Sequence, residues 1–301
     1  MTKQEEIKKL KEEKNAVILA HYYVEDEVQQ VADYIGDSFY LSKLAQGLSN
    51  PIMVFCGVDF MGESAALLSP EKTVLMPDAS ADCPMAHMVT KEDIDRCRRE
   101  YDDLAVVCYI NSTAEIKSWC DVCVTSANAV KIVKNLPQKN ILFVPDQNLG
   151  RHVAKQVPEK NILLVNGYCP IHHFMPLSEV KALKQAHPAA EILVHPECVE
   201  QVCDMADYIG STSGIIKYAA QSKSKEFIIV TECGVLHELE AQAPDKAFYF
   251  TQTKPVCPNM KKITLDKIIH VLKTGENIAS VASTLAAPAK HTLERMLELA
   301  Q

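Results

Sequence analysis

Short hydrophobic runs alternate with stretches of helical periodicity along most of this chain. The predicted strands are residues 15–20, 52–56, 73–76, 104–110, 141–144, 162–165, 192–194, 227–230 and 248–250. Helices are predicted between these strands and at residues 2–14, 265–272 and 291–299. Strands that alternate with helices are typical of parallel sheets, because a crossover helix joins neighbouring parallel strands. The pattern therefore predicts an α/β protein.

The same pattern occurs three times at a nearly constant spacing. Residues 32–38 (ADYIGDS) are nearly repeated at 206–212 (ADYIGST), and residues 121–126 match 33–38. We interpret segment 33–38 as a polar break between two helices. Several features in one register indicate internal repetition. We predict three α/β domains, at residues 15–88, 104–174 and 190–260, preceded by helix 2–14 and followed by C-terminal helices, within 261–301, that pack back on the body.

A Cys-Pro turn follows the last predicted strand of each repeat. The cysteines are Cys83, Cys169 and Cys257, and each proline holds the preceding residue in an extended conformation. Isolated free cysteines are commonly buried for packing alone. Three thiols in one register instead suit a metal centre, either zinc with an open position or a [4Fe-4S] cluster with one free iron. The lone CxxC at Cys120 and Cys123 is a weak signal, and we interpret both as core or surface thiols.

Polar side chains cluster just beyond the predicted strands, where ligands bind in open parallel sheets. His195 and Glu197 could form an acid/base pair near a metal. Hydroxyl side chains at predicted helix starts favour anions, so a substrate with carboxylates or phosphate is expected. The imidazoles that follow Cys169 are candidates for supporting a metal centre. The full set of candidates is His21, Tyr23, Ser38, Tyr109, Asn111, Ser126, His172, His173, His195, Glu197 and Thr212.

Composition and charge narrow the class of protein. The chain has 301 residues, a net charge of −8 and a pI of about 5.7, which argues against nucleic-acid and membrane-surface binding. The charged N-terminal helix has no apolar core and does not resemble a signal peptide. Eleven cysteines without an export signal favour a reducing, cytoplasmic setting.

Together these residues resemble quinolinate synthase, the iron–sulfur enzyme family of de novo NAD biosynthesis. The resemblance covers nearly the whole chain. It implies three three-layer α/β domains, related by a pseudo-threefold axis, around a central active site. The motifs that carry it are residues 18–23, 36–38, 57–61, 83–86, 109–113, 125–129, 145–150, 169–172, 195–198, 210–212 and 257–262.

The resemblance also implies an activity and a set of roles. The family condenses iminoaspartate with dihydroxyacetone phosphate to give quinolinate, phosphate and two waters. L-aspartate oxidase or aspartate dehydrogenase would supply the iminoaspartate. The implied ligands of a [4Fe-4S] cluster, whose open iron acts as a Lewis acid, are Cys83, Cys169 and Cys257. The implied catalytic residues are Glu197, Tyr23 and His195. The implied substrate-binding residues are His21, Ser38, Tyr109, Asn111, Ser126, His195, Glu197 and Thr212.

Two other functions fit the same residues. An aconitase-like hydratase or dehydratase of a small carboxylic acid would also use the open iron of a three-cysteine cluster. A non-enzymatic iron–sulfur or zinc sensor would need a DNA-binding or partner module, and the three repeats nearly fill this acidic chain. A pyridine dicarboxylate product would exclude simple hydration.

Overall fold

Three parallel sheets of four strands each organise the chain, which the computed structural model describes over all residues 1–301. The sheets have the strand orders β2-β1-β3-β4, β6-β5-β7-β8 and β10-β9-β11-β12. The predicted α/β class is therefore confirmed. The strands are β1 (Ala16–His21), β2 (Tyr34–Gly36), β3 (Ile52–Cys56), β4 (Thr73–Leu75), β5 (Leu104–Tyr109), β6 (Val122–Val124), β7 (Asn140–Val144), β8 (Asn161–Leu164), β9 (Glu191–Val194), β10 (Tyr208–Ile209), β11 (Glu226–Val230) and β12 (Ala247–Tyr249).

Each sheet contains an edge strand that the sequence pattern did not reveal. We interpreted segment 33–38 as a break between helices, but β2 lies within it, and β6 and β10 occupy the corresponding positions. An aspartate at the same place in each of the three repeats explains the repeated motif. The carboxylates of Asp33, Asp121 and Asp207 accept hydrogen bonds from backbone N–H groups of the neighbouring strand, at Ile18 (2.8 Å), Val106 (2.7 Å) and Ile192 (2.8 Å). The motif therefore fastens each edge strand to its sheet.

Helices cover the sheets and join their strands. The longest lies near the C-terminus and begins at Ser283, eight residues before its predicted start. It packs against the fourth and sixth helices and against β6. The helices are α1 (Lys3–Lys14), α2 (Asp26–Gln29), α3 (Ser38–Gly47), α4 (Asp59–Leu68), α5 (Lys91–Glu100), α6 (Ala114–Ser118), α7 (Ala129–Asn135), α8 (Gln147–Gln156), α9 (Pro170–His173), α10 (Leu177–Ala186), α11 (Glu200–Cys203), α12 (Thr212–Gln221), α13 (Leu236–Gln242), α14 (Leu265–Thr274) and α15 (Ser283–Leu299).

The hydrophobic core is divided unequally among the three sheets. One continuous cluster of 61 buried residues includes the first two sheets, α14 and α15. The third sheet has two smaller clusters, with Phe227 and Ile229 in one and Ile228 and Val230 in the other. Alternate residues of β11 thus face opposite sides of the sheet, as a strand buried on both faces requires. None of the helices combines the length and apolar character that crossing a lipid bilayer requires.

The domain boundaries given above remain predictions. Each sheet does fall within one of the predicted ranges, and the sheets share one strand order. This common topology places the carboxyl ends of the central strands, and the turns that follow them, in equivalent positions of the three units.

Candidate active site

The three Cys-Pro turns converge on one cavity. Cys83, Cys169 and Cys257 all line this one space. Cys83 and Cys169 have extended backbones, and the proline after each begins a short helical turn. A proline is tolerated at that position because the first N–H of a helix has no intrahelical partner. The stiff turns thus deliver one thiol per repeat to a shared space.

A carboxylate holds the main chain of each of these cysteines. Asp146 lies just after β7 and is fully buried, and one of its oxygens accepts a hydrogen bond from the N–H of Leu149 at 2.7 Å. Glu232 lies at the equivalent place after β11 and is also fully buried. The first repeat has Val58 at this position. Its acceptor is instead Asp82, which directly precedes Cys83 and is more exposed. The bonds to cysteine N–H groups are Cys83 to Asp82 (2.7 Å), Cys169 to Asp146 (3.0 Å) and Cys257 to Glu232 (3.0 Å).

The environment of the thiols favours their protonated form in the absence of a metal. Burial, with smaller contributions from the nearby Cys257 and Glu197, raises the pKa of the Cys83 thiol to about 12. Burial, followed by the charge of Glu197, raises the pKa of Cys169 well above its usual value. A bound metal supplies the positive charge that such buried thiolates need, so the three thiols suit metal coordination.

A second, smaller and polar chamber adjoins the thiol-lined cavity. His21, Tyr23, Ser38 and Asn111 line both spaces, which makes them one continuous site. The remaining predicted residues line the polar chamber. They are Tyr109, Ser126, His195, Glu197 and Thr212. The structure thus brings together every residue predicted for substrate binding or catalysis, next to the three predicted metal ligands.

Two histidines that line this chamber make the same backbone contact through Nδ1. Nδ1 of His21 accepts the N–H of Tyr23 at 3.2 Å, and Nδ1 of His195 accepts the N–H of Glu197 at 3.4 Å. Burial lowers the pKa of each imidazole to about 3, so both are neutral at physiological pH. A neutral imidazole that accepts at Nδ1 carries its proton on Nε2. His21 and His195 therefore have Nε2–H groups available as hydrogen-bond donors.

Two of the three hydroxyl residues predicted at helix starts do begin helices, but neither caps its helix. Ser38 and Thr212 are the first residues of α3 and α12, but the caps are Asp37, which accepts from Tyr40 N–H, and Ser211. Ser126 does not begin a helix, because α7 starts three residues later. Since neighbouring residues cap these helices, Ser38 and Thr212 can direct their own hydroxyls into the site.

Glu197 is the centre of the buried polar contacts. One carboxylate oxygen accepts a hydrogen bond from Tyr109 OH at 2.6 Å, and the other lies 2.8 Å from His172 Nδ1. Burial opposes its charge, but the interactions with His195 and His172, together with the hydrogen bonds from His172 and Tyr109, lower the pKa of Glu197 below its usual range. The sequence analysis paired Glu197 with His195, but the Nδ1 of His195 lies 3.8 Å from the nearer carboxylate oxygen. The imidazole in hydrogen-bond contact with this carboxylate is His172.

One further residue of the site, Thr231, could not be selected from the sequence. It follows β11 and is fully buried, and its hydroxyl lies 3.0 Å from His172 Nε2 and 2.9 Å from Tyr23 OH. Tyr23 OH also contacts the Thr212 hydroxyl at 2.8 Å. Burial, and then the charge of Glu197, raises the pKa of Tyr23 well above its usual value. Neither of the other repeats has a hydroxyl at the position of Thr231, so the repeat pattern could not reveal it.

Comparisons with known proteins identify the family of this chain. The family model described as "Quinolinate synthetase A protein" matches residues 5–298. The chain is 54% identical over 297 residues to a quinolinate synthase of Fusobacterium nucleatum, covering 99% of both chains. It is 50% identical over 296 residues to that of Clostridioides difficile, covering 98% of this chain and 97% of the relative. It is 47% identical over 296 residues to that of Methanoregula boonei, covering 98% of both. The chain therefore belongs to the quinolinate synthase family of enzymes, as its motifs indicated.

Proposed function

We propose that this chain condenses iminoaspartate with dihydroxyacetone phosphate to give quinolinate, phosphate and two waters. We further propose that it does so with a [4Fe-4S] cluster on Cys83, Cys169 and Cys257. The observation that carries the proposal is the junction of two chambers, one lined by three thiols and one by neutral donors and acid/base groups. The proposed reaction follows from the family to which the chain belongs. The two joined chambers offer one site for the cluster and an adjacent site for the substrate.

Three thiolates without a further protein ligand support a [4Fe-4S] cluster with one open iron. Cys83, Cys169 and Cys257 all line one cavity. The potential ligand atoms of Cys169, His172 and Glu197 lie within 4.8 Å of one another, so His172 and Glu197 lie beside the proposed centre. When bound, the cluster would supply an open iron that acts as a Lewis acid beside the polar chamber.

The polar chamber suits a substrate that carries carboxylates and a phosphate. Neutral Nε2–H donors of His21 and His195 can bind anionic oxygens without an ion pair. The hydroxyls of Ser38, Ser126 and Thr212 add further donors. Asn111 Oδ1 is buried without a partner, which leaves an acceptor for an N–H or O–H group of the ligand. Tyr109 lines the same chamber and holds Glu197 by its phenol.

Glu197 and Tyr23 are the proposed proton-transfer groups. The lowered pKa of Glu197 makes it a carboxylate at neutral pH, and the raised pKa of Tyr23 keeps that phenol protonated. One group can therefore accept a proton while the other can donate one, which isomerisation and dehydration both require. His195 lines the same chamber as Glu197, and its ring stacks on that of His172 with the centroids 4.6 Å apart. Its proposed role is to assist these proton transfers.

The proposal extends to the protein's setting. All eleven cysteines are free, in keeping with a reducing cytoplasm. Iminoaspartate would come from an L-aspartate oxidase or an aspartate dehydrogenase. An aconitase-like hydratase or dehydratase remains an alternative for the same chambers, and a sensor would use the thiols alone.

Product analysis tests the reaction. We expect anaerobically purified protein, given iminoaspartate generated in the reaction and dihydroxyacetone phosphate, to form quinolinate that is identified by chromatography and mass. Reactions without dihydroxyacetone phosphate are the matched control and should yield none. A hydrated or dehydrated acid as the sole product would support the hydratase instead, and no conversion of either substrate would support the sensor.

The buried carboxylates should be needed to keep the cysteines in place. Asp146→Ala removes the acceptor for the Cys169 N–H, so we expect the purified protein to contain less than half of the wild-type iron and sulfide, or to lose its iron to a chelator several-fold faster. Asp146→Asn keeps only one acceptor oxygen for the N–H groups of Cys169 and Leu149, and we expect its iron retention to lie between that of the alanine variant and that of the wild type. Equal iron retention in the alanine variant and the wild type would show that the turn holds Cys169 unaided.

A further inference from the structure

Two side chains bind the turn that carries Tyr23. This tyrosine turn, Tyr22 to Val24, follows β1, and each of its three carbonyl oxygens lies within hydrogen-bond distance of a side-chain nitrogen. Nε2 of Gln29, on α2, lies 2.9 Å from Tyr22 O and 3.1 Å from Val24 O. Nζ of Lys261 donates to Tyr23 O at 2.9 Å. Gln29 is fully buried and the Lys261 side chain is 15% exposed, so water competes little for these bonds.

The same two side chains also contact a second turn, which follows β11. Nε2 of Gln29 lies 3.0 Å from the carbonyl oxygen of Gly234. Nζ of Lys261 lies 3.3 Å from one carboxylate oxygen of the buried Glu232. That carboxylate accepts the N–H groups of Gly234 at 2.6 Å and of Cys257 at 3.0 Å. The tyrosine turn is therefore joined to the turn that holds the main chain of a proposed cluster ligand.

Gly234 allows these two turns to approach each other. A Cβ atom added to Gly234 would lie 2.7 Å from Tyr22 O and 3.0 Å from Lys261 Nζ. Both distances are shorter than the contact of about 3.5 Å at which non-bonded atoms attract each other. Because Tyr22 O belongs to the backbone, it cannot rotate away from an added methyl group. A residue without a side chain is therefore needed where the two turns meet.

We propose that Gln29 and Lys261 form a clamp that positions Tyr23 for the reaction, with Gly234 providing the space that the clamp needs. The inference rests on the proposed function, since Tyr23 is one of its proton-transfer groups. Gln29 and Lys261 line neither chamber, so they do not touch the substrate and are positioning residues that act through Tyr23. A displacement of about 1 Å at a reacting group can lower a rate by about 10²-fold. Fixing the turn to its neighbour therefore favours turnover.

Gly234→Ala tests the clamp without removing any of its donors. The added methyl group pushes the two turns apart, and we expect kcat for quinolinate formation to fall by about tenfold or more. The iron and sulfide content and the affinity for quinolinate, measured by calorimetry, should match the wild type. Gly47→Ala is the matched control, because a Cβ atom at Gly47, the last residue of α3, meets nothing within 4 Å. It should keep the wild-type kcat.

A double-mutant cycle separates positioning of the phenol from a general structural effect. Gln29→Met removes the amide donor at similar side-chain length and should lower kcat by about tenfold in the wild-type background. In the Tyr23→Phe background the clamp has no phenol to position, so the same substitution should lower the residual kcat by less than about twofold. An equal factor in both backgrounds would overturn the proposal. If Gln29→Met does not fold, Lys261→Met takes its place in the cycle, and Lys261→Arg should recover kcat to within about threefold of the wild type.

The position of the phenol gives a readout that does not depend on activity. Tyr23 OH lies 2.8 Å from the Thr212 hydroxyl and 2.9 Å from the Thr231 hydroxyl. In a crystal structure of Gly234→Ala we expect at least one of these distances to exceed about 3.5 Å, beyond hydrogen-bond range. Unchanged contacts, a wild-type kcat, or a loss of iron along with the turnover would overturn the clamp. A wild-type protein that forms no quinolinate would instead refute the proposed function, and the phenol position in the variant would still decide whether the clamp holds Tyr23.

Discussion

Cys169→Ala should eliminate the iron–sulfur cluster. We expect anaerobically purified wild-type protein to contain about four irons and four sulfides per chain, with a broad absorption band at about 400 nm. The variant should lose the band and nearly all of the iron and sulfide, because two thiolates cannot hold a cluster that already leaves one iron without a protein ligand. Quinolinate formation should fall below detection with it.

The control for this substitution is Cys203→Ala. Cys203 is also partly exposed, but it lines a separate cavity between α8 and α11 and should be dispensable for the cluster. We expect its iron, sulfide and absorption to equal those of the wild type. One zinc per chain without sulfide in the wild type would preserve the convergence of the thiols but refute the cluster. Full iron content in Cys169→Ala would remove this cysteine from the ligand set.

Much of this site could be predicted because parallel sheets obey a simple rule. Residues just beyond the carboxyl ends of the strands meet at one edge, so His21, Tyr109 and His195 could be placed together from their positions in the repeats. The Cys-Pro turns followed the same register. Three thiols in equivalent positions could be recognised as one set before any contact between them was known.

What the sequence did not reveal has two physical causes. The edge strands β2, β6 and β10 contain only two or three residues, too few to show a strand periodicity, and aspartate side chains rather than a hydrophobic pattern fasten them. The partners of Glu197 and Tyr23 depend on how the repeats pack. Tyr23 and Thr231 are 208 positions apart, and no local pattern relates them.

Conversion of Glu197 to glutamine should nearly abolish turnover without emptying the site. The substitution keeps the shape of the side chain and an oxygen that can accept the Tyr109 phenol. Its amide can donate to His172 Nδ1 if the imidazole proton moves to Nε2, so the buried contacts can be satisfied. The variant has no carboxylate to accept a proton, and we expect kcat for quinolinate formation to fall by about 10³-fold, within the range of lost general acid–base catalysis.

Three measurements separate this loss from a structural one. Iron and sulfide content and the affinity for quinolinate should stay close to wild type in Glu197→Gln, since neither the cysteines nor the anion-binding donors change. Glu63→Gln is the matched control, because Glu63 is a partly buried carboxylate that bonds to the backbone N–H of Ala114 outside the site, and we expect its kcat to equal that of the wild type. Wild-type turnover in Glu197→Gln would remove Glu197 from the mechanism. A loss of iron along with the turnover would instead place its main role in supporting Cys169 through His172, whose Nδ1 lies 3.2 Å from that sulfur.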